Sequence, residues 1–296
     1  MDRPEPGIFL VHKPAGETSF GVVRGFEARL AAAPGKRHKL CHGGALDPFA
    51  HGLLLVLVGP ATRLFDFLHD VPKRYLATVA WGAETDSGDG LGAVTARGEA
   101  APAAALDEAL ARLLGWTEQV PPVMSNKRVD GERAHVRARR GEAVELAPQR
   151  VYLHQARFLS HQLPQRSTLE LVCRGGFYVR ALARDVGRAA GCRAHLEALH
   201  RTAIGPWEDP GPGAERRVSG EALLPWLPAR RLGDDEWGVL RRGQPIARGA
   251  LEAPAWPLPA GFPPGPELIG ALHQQRLVAV LEPRDGQLAT RMLVER

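Results

Sequence analysis

The chain has 296 residues, 44% of them hydrophobic and 24% charged, which is too long for a disulfide-stapled miniprotein and too apolar for a disordered tail. The length allows one large domain or two unequal ones. A net charge of +5 is modest and names no partner until it is divided along the chain.

From the N-terminus, the segment Met1-Asp2-Arg3-Pro4-Glu5-Pro6 has acids and prolines where a signal peptide needs a basic and then an apolar stretch, so a soluble, cytoplasmic location is expected. Gly7 to Val11 reads as a strand that leaves into a turn at Lys13-Pro14-Ala15-Gly16. A helix should follow, capped by Thr18 or Ser19, with Phe20, Val23, Phe26 and Leu30 on one face and a stop at Pro34-Gly35. Gly52 to Gly59 is apolar without alternation, as a strand covered on both faces would be, and Thr62 to Leu68 reads as a short helix. Tyr75 to Trp81 alternates as a strand and gives way to a Gly/Asp loop from Gly82 to Gly92. Within that loop Gly88-Asp89-Gly90-Leu91-Gly92 imitates a nucleotide-binding turn without its spacing, so a surface loop is the plainer reading.

Ala101 to Leu114 has helical leucine spacing, Pro121-Pro122 interrupts the chain, Ser167 to Cys173 resumes as a strand, and Phe177 to Ala190 is helical. Gly205 to Gly220, rich in Pro and Gly, reads as a linker. A second unit is expected from about Arg231, with short strands at Leu277 to Leu281 and Leu288 to Leu293. Strands and helices mix without regular β-α alternation, which predicts an α+β architecture with a largely antiparallel sheet. Three cysteines, Cys41, Cys173 and Cys192, form neither a disulfide framework nor a metal ribbon, and the Cys192/His195 pair lacks a second half, so no metal is expected.

The positive charge is concentrated in the middle. Residues 1–119 have a net charge of −2, residues 120–205 one of +8, and residues 231–296 balance. The densest piece, Asn126 to Arg140, contains Lys127, Arg128, Arg133, Arg137, Arg139 and Arg140 against Asp130 and Glu132, a concentration suited to phosphates. Of the 38 basic residues 33 are Arg; genome composition can explain that share, so the clustering carries more weight.

The segment Cys41 to Gly52 fixes Asp47 between glycines and a proline just ahead of a buried strand. Alone, Asp-Pro is a turn. Three further segments shift that reading: Lys13-Pro14-Ala15-Gly16-Glu17-Thr18-Ser19-Phe20, Lys73-Arg74-Tyr75, and Arg174-Gly175-Gly176-Phe177-Tyr178-Val179-Arg180. Together, in order and spacing, they resemble the pseudouridine synthases of the TruB family, which isomerise a uridine in the T loop of tRNA. Gln119-Val120-Pro121-Pro122 opening a segment with Lys127, Gly131, Arg133 and Ala134 resembles that family's RNA-gripping insertion, at about 120–150. Leu240 to Pro245 resembles the opening of its small PUA-like RNA-binding domain, here 231–296, with 1–230 as the catalytic domain.

The resemblance implies a pseudouridine-synthase fold and isomerisation at tRNA position 55 without metal or organic cofactor, by a chain expected to act as a monomer on the T-arm stem-loop. The reaction breaks the N-glycosidic bond, turns the uracil and rejoins it through C5, and a carboxylate, ionised at neutral pH in an ordinary aspartate, suits it as nucleophile or as stabiliser of positive charge. Attack at C1′, addition at C6 and a glycal route all stay open. By resemblance Asp47 is that carboxylate, Arg180 its guanidinium partner, and Tyr75 the ring stacking on the target base. His42 would fill the gap left by the flipped base, and Tyr178 and Leu199 would line the pocket. Lys13, Arg63, Asp89, Lys127, Arg128, Arg137, Arg139 and Arg140 are the expected substrate contacts. The chain departs from the family at Gly43 (usually Thr), His51 (a small hydroxyl residue), Met124-Ser125-Asn126 (Tyr-Ser-Ala), His200 (Arg) and Leu91 (Asp). Competing readings are a guide-RNA-dependent catalytic subunit and a non-catalytic RNA-binding or RNA-folding protein.

Overall fold

The computed structural model describes residues 7–31, 39–129 and 131–294. The N-terminal segment and the helix stop expected at Pro34-Gly35 lie outside the described residues. Strand β1 (Gly7–Lys13) is the expected apolar strand, and α1 (Ser19–Ala31) follows it. Thr18 supplies the helix cap, its Oγ1 accepting from the Gly21 N–H at 2.9 Å. Val23 and Phe26 are buried as the spacing predicts, but Phe20 is 64% exposed. In the first turn it projects past the face that its neighbours bury.

β2 (Leu40–His42) and β3 (His51–Val58) come next, and β3 is buried from Gly52 to Val58, in keeping with its unbroken apolar run. The expected short helix at 62–68 is a 3-10 helix, Gly59–Leu68, begun earlier because Pro60 occupies the first turn, where its missing N–H costs nothing. β4 (Lys73–Trp81) alternates cleanly, and β5 (Ala83–Thr85) and β6 (Val94–Arg97) flank the Gly/Asp loop as a hairpin. α2 (Ala103–Ala111) stops short of Leu114 because Gly115, at φ 86°, turns the chain into β7 (Gly115–Gln119). In the basic segment β8 (Arg128–Val129), β9 (Glu132–Arg133) and α3 (Ala134–Arg139) follow. Then come β10 (Gln149–Gln162), β11 (Arg166–Cys173), α4 (Val179–Ala189) and β12 (Ala194–Ile204).

The linker expected at 205–220 is largely built into structure: β13 (Trp207–Glu208) pairs with β12, and β14 (Glu215–Val218) runs antiparallel to Ile8–Val11 of β1. Its Pro and Gly residues serve the turns around these short strands rather than a free tether. The chain continues as β15 (Ala229–Arg231), α5 (Asp234–Arg241), β16 (Ile246–Ala247), β17 (Ile269–His273), β18 (Arg276–Arg284) and β19 (Gln287–Leu293).

The chain divides into two compact units, one made of residues 1–48, 52–71 and 203–296, the other of 49–51 and 72–202. In the first, β1 lies between β14 and β3, antiparallel to both, and β2 pairs with β3. One face of this ladder (Phe9, Val11, Leu54, Val56, Val58) receives Val23 and Phe26 of α1. The other face (Ile8, Leu10, Leu53, Leu55, Leu57) packs on Leu64 and Leu68 and shares a core with Leu272, Leu277 and Val280. Each such leucine contributes about 1.5–3 kcal/mol by leaving water. A five-stranded sheet ordered β15-β17-β18-β19-β16 completes the unit. In the second unit the order is β12-β4-β11-β10-β7, and the β4–β11, β10–β11 and β7–β10 ladders are antiparallel.

Candidate active site

Asp47 lies in the loop that joins β2 to β3, and the residues around it are held from the backbone outward. Gly43 donates its N–H to Leu55 O at 2.7 Å. A Cβ at Gly43 would meet Leu68 Cδ1 at 2.7 Å and Leu55 and Leu57 at 3.0 Å. The space a side chain would need is therefore filled by leucine, a local reason for glycine where the family usually has threonine. Gly44, at φ 122°, makes the turn that an L side chain resists.

The next two anchors bracket the carboxylate. The Ser19 hydroxyl accepts from the Leu46 N–H at 2.8 Å and donates to the Leu46 carbonyl at 2.9 Å. On the other side, the Pro48 carbonyl accepts from the Gly16 N–H at 2.7 Å and from Lys13 Nζ at 3.4 Å. Lys13, an expected substrate contact, is 0% exposed, and its ammonium also donates to the carbonyls of Pro14 (2.8 Å) and Glu17 (2.7 Å). Its place is in the scaffold of the loop. The segment Lys13 to Ser19 thus pins both neighbours of a half-buried Asp47. In the sequence Ser19 is only a helix cap, and no local signal separates a cap from a clamp on a distant loop. His42 ends β2, half-buried, opposite Val56. Arg63 sits exposed on the 3-10 helix and donates to the Leu293 carbonyl at 2.8 Å.

The second unit holds the guanidinium. Arg180, in the first turn of α4, is 4% exposed; its Nη1 donates to Ser87 O at 2.6 Å and its Nη2 to Met124 O at 3.0 Å. Asp89 Oδ2 stands 3.7 Å from Nη1. The Gly/Asp loop is therefore no plain surface loop. Ser87 and Asp89 are buried, Ser87 Oγ donates to Asp89 Oδ1 at 2.7 Å, and the Leu91 N–H donates to the same oxygen at 3.1 Å. At Gly88, with φ 75°, an added Cβ would stand only 3.2 Å from Arg180 Cβ, so glycine lets the loop close on the arginine. Asp89, expected to bind substrate, is 6% exposed and engaged with Ser87, Leu91 and Arg180. Because Met124 serves through its backbone oxygen, the departure at that position leaves the guanidinium's seat intact.

Tyr178 precedes α4, and Gln119 grips it twice: Oε1 accepts from the Tyr178 N–H at 2.9 Å and Nε2 donates to its carbonyl at 3.1 Å. In the sequence Gln119 does no more than open a motif; its burial at the end of β7 makes it a positioning residue. Tyr75 (β4) and Leu199 (β12) are buried, and His51 stacks on His200 with ring centroids 4.5 Å apart and planes at 14°. Two of the positions at which the chain departs from the family are thus filled together. Among the expected phosphate contacts, Lys127 Nζ donates to Gln149 Oε1 at 2.9 Å and Arg128 to Gly131 O at 2.6 Å. Arg137 pairs with Glu142 at 2.8 Å, and Arg140 pairs with Glu142 at 2.7 Å and with both oxygens of Glu132. Arg139 is exposed. Among the described residues no helix is long and apolar enough to cross a membrane, and no group of three His, Cys, Asp or Glu stands together as a metal site.

The fold is that of the pseudouridine synthases. A chain in the crystal structure of a Cbf5-Nop10-Gar1 complex superposes with a TM-score of 0.68 at 20% identity, covering 97% of this chain and 84% of that one. A chain in the structure of an H/ACA RNP bound to a substrate RNA containing 2′-deoxyuridine gives 0.66 at 19%, covering 98% and 85%. By sequence, residues 33–179 match the TruB family pseudouridylate synthase N-terminal domain. The chain is 38% identical over 276 residues to tRNA pseudouridine synthase B of Rhodopseudomonas palustris, covering 85% of this chain and 73% of that protein. It is 41% identical over 225 residues to the protein of the same name from Bordetella avium, covering 75% and 88%. The chain belongs to the TruB family, and its C-terminal β sheet is of the PUA-like kind seen with this fold.

Proposed function

We propose that this chain isomerises uridine to pseudouridine in tRNA, at position 55 of the T loop, with Asp47 as the reacting carboxylate. The observation that carries this reading is the double anchoring of the Asp47 loop by Ser19, Gly16 and Lys13. A group that must meet one sugar in one geometry works only if its backbone is fixed beforehand. The kinship to proteins named tRNA pseudouridine synthase B supplies the substrate class.

In this reading Arg180, a guanidinium already fixed by two carbonyls, is the partner that the family resemblance assigns to the reacting carboxylate. Tyr75 stacks on the flipped base, Tyr178 and Leu199 close the pocket, and His42 takes the vacated place in the RNA. Lys127, Arg128, Arg137, Arg139 and Arg140, on an insertion at about 120–150, grip phosphates, and residues 231–296 add a second RNA-binding element. The chain works in the cytoplasm as a monomer. The basic insertion favours action without a guide RNA.

The test is to map pseudouridine in a T-arm transcript after incubation with the purified protein. Wild type should modify the T-loop uridine unaided, and Asp47→Ala should lose all detectable turnover while its tRNA affinity stays within a few-fold. Turnover by the mutant at more than a small fraction of the normal rate would remove Asp47 from its role.

A further inference from the structure

The basic insertion leaves the sheet from the end of β7 and returns into the start of β10, and these two strands carry a feature that the reaction does not use. Trp116 of β7 is 44% exposed on the last strand of the unit's sheet. Tyr152 lies directly opposite it in the β7–β10 register, with ring centroids 5.1 Å apart. The Arg150 guanidinium sits over the indole at 4.4 Å from its centroid, and that of Arg174 lies at 5.9 Å. Arg150 faces Glu118 across the ladder, yet no ion pair joins them among the described residues; the guanidinium lies against one face of the indole instead. Two guanidiniums thus stand against one indole. Lys127 of the insertion reaches Gln149, the residue next to Arg150, at 2.9 Å, so the patch continues from the foot of the basic segment.

We propose that Trp116, Tyr152, Arg150 and Arg174 form a stacking platform for single-stranded RNA, with an unpaired base on the indole and its flanking phosphate on the arginines. An exposed indole held by guanidiniums has the chemistry of sequence-tolerant single-strand binding. A duplex stem hides its base faces and cannot use it, so the occupant is an unpaired segment lying beside the stem-loop that the insertion grips. The inference rests on the RNA-modifying reading above and adds a second contact to it.

The test compares wild type with Trp116→Ala, Trp116→Phe and Arg150→Ala, using a single-stranded oligoadenylate and a blunt T-arm hairpin as separate probes. Tryptophan emission and retention of labelled RNA are followed, and folding is checked by circular dichroism. Oligoadenylate should quench wild-type emission. Trp116→Ala should bind it about ten-fold more weakly, Trp116→Phe within about three-fold of wild type, and Arg150→Ala more weakly with a salt slope lower by about one. Hairpin affinity should move by no more than about two-fold. Equal oligoadenylate affinity in wild type, Trp116→Ala and Arg150→Ala overturns the platform and leaves the patch to a protein partner. Should Trp116→Ala misfold, Arg150→Ala decides: weaker oligoadenylate binding with a lower salt slope supports the platform, and wild-type affinity overturns it. Failure of the wild type to form pseudouridine in the hairpin would sink the underlying reading instead, whatever oligoadenylate does.

Discussion

At the scale of single residues the candidate residues of each unit are held mostly by neighbours that have no part in the proposed chemistry. Ser19, Lys13 and Gln119 spend their polar atoms on the backbones of Leu46, Pro48 and Tyr178, and so fix where Asp47 and Arg180 begin. Removing one such hydroxyl strands a buried N–H and a carbonyl, at a cost of about 1–3 kcal/mol. Ser19→Ala should lower stability by that amount in urea titrations and reduce kcat at least ten-fold, while tRNA affinity stays within a few-fold; an unchanged kcat would show that the clamp does not matter to the chemistry. The candidate site residues are legible in the sequence because four ordered motifs carry them. Their supports are not, because a serine at a helix start or a glutamine at a strand end gives no hint of which distant backbone it will meet. Lys13 and Asp89 mark the same limit. Charge in a motif suggests contact with RNA, whereas burial turns both toward the protein's own loops.

At the scale of elements, periodicity serves where one face is buried and fails where structure comes from turns. β3, β4, β11 and α4 are all visible as runs or alternation. β10 and β12 are not: His, Gln and Arg on the wetter face of β10 mask its pattern, in β12 a charged residue, Arg201, is itself buried, and β14 hides in a Pro/Gly-rich stretch. α3 is the element whose charge composition misleads most. Glu132 and Glu142 flank it, and hydrogen bonds from Arg140 to Glu132 and from Arg137 and Arg140 to Glu142 hold both carboxyls below the usual carboxylate range. Such exposed pairs add little stability, so an incoming phosphate can displace them, but the two acids still repel it. Glu132→Gln with Glu142→Gln should therefore tighten tRNA binding about three- to ten-fold at low salt, and reversing Arg137, Arg139 and Arg140 should weaken it and flatten its salt dependence. The pH sign follows from the depressed pKa values: the carboxylates hold their arginines above the ordinary glutamate pKa and release them as pH falls through the lowered one. An unchanged salt slope in the reversed variant would remove α3 from the RNA interface.

At the scale of the whole molecule, one buried thiol sets an alkaline limit. Burial pushes Cys173 up to about 12, against a smaller downward pull from Lys73 and Arg201. An unfolded chain loses this proton near the ordinary thiol value while the folded one keeps it, so stability falls as pH rises through that window, by about 1.4 kcal/mol per pH unit. Cys173→Ala should flatten that decline in urea midpoints measured from about pH 9 to 12; parallel curves for the two proteins would show that the thiol is irrelevant. The order of strands has a different consequence, one that acts before the protein is finished. β1 lies between β3, which follows it closely, and β14, which comes about 200 residues later. At roughly 5–20 residues per second a ribosome needs on the order of 10–40 s to deliver that partner. For this interval the nascent polypeptide presents an apolar strand with one bare edge, the kind of template on which chains pair wrongly. Translation arrested before Glu215 should leave Gly7–Lys13 open to proteases and chaperones, and arrest well beyond Val218, with that strand clear of the exit tunnel, should protect it.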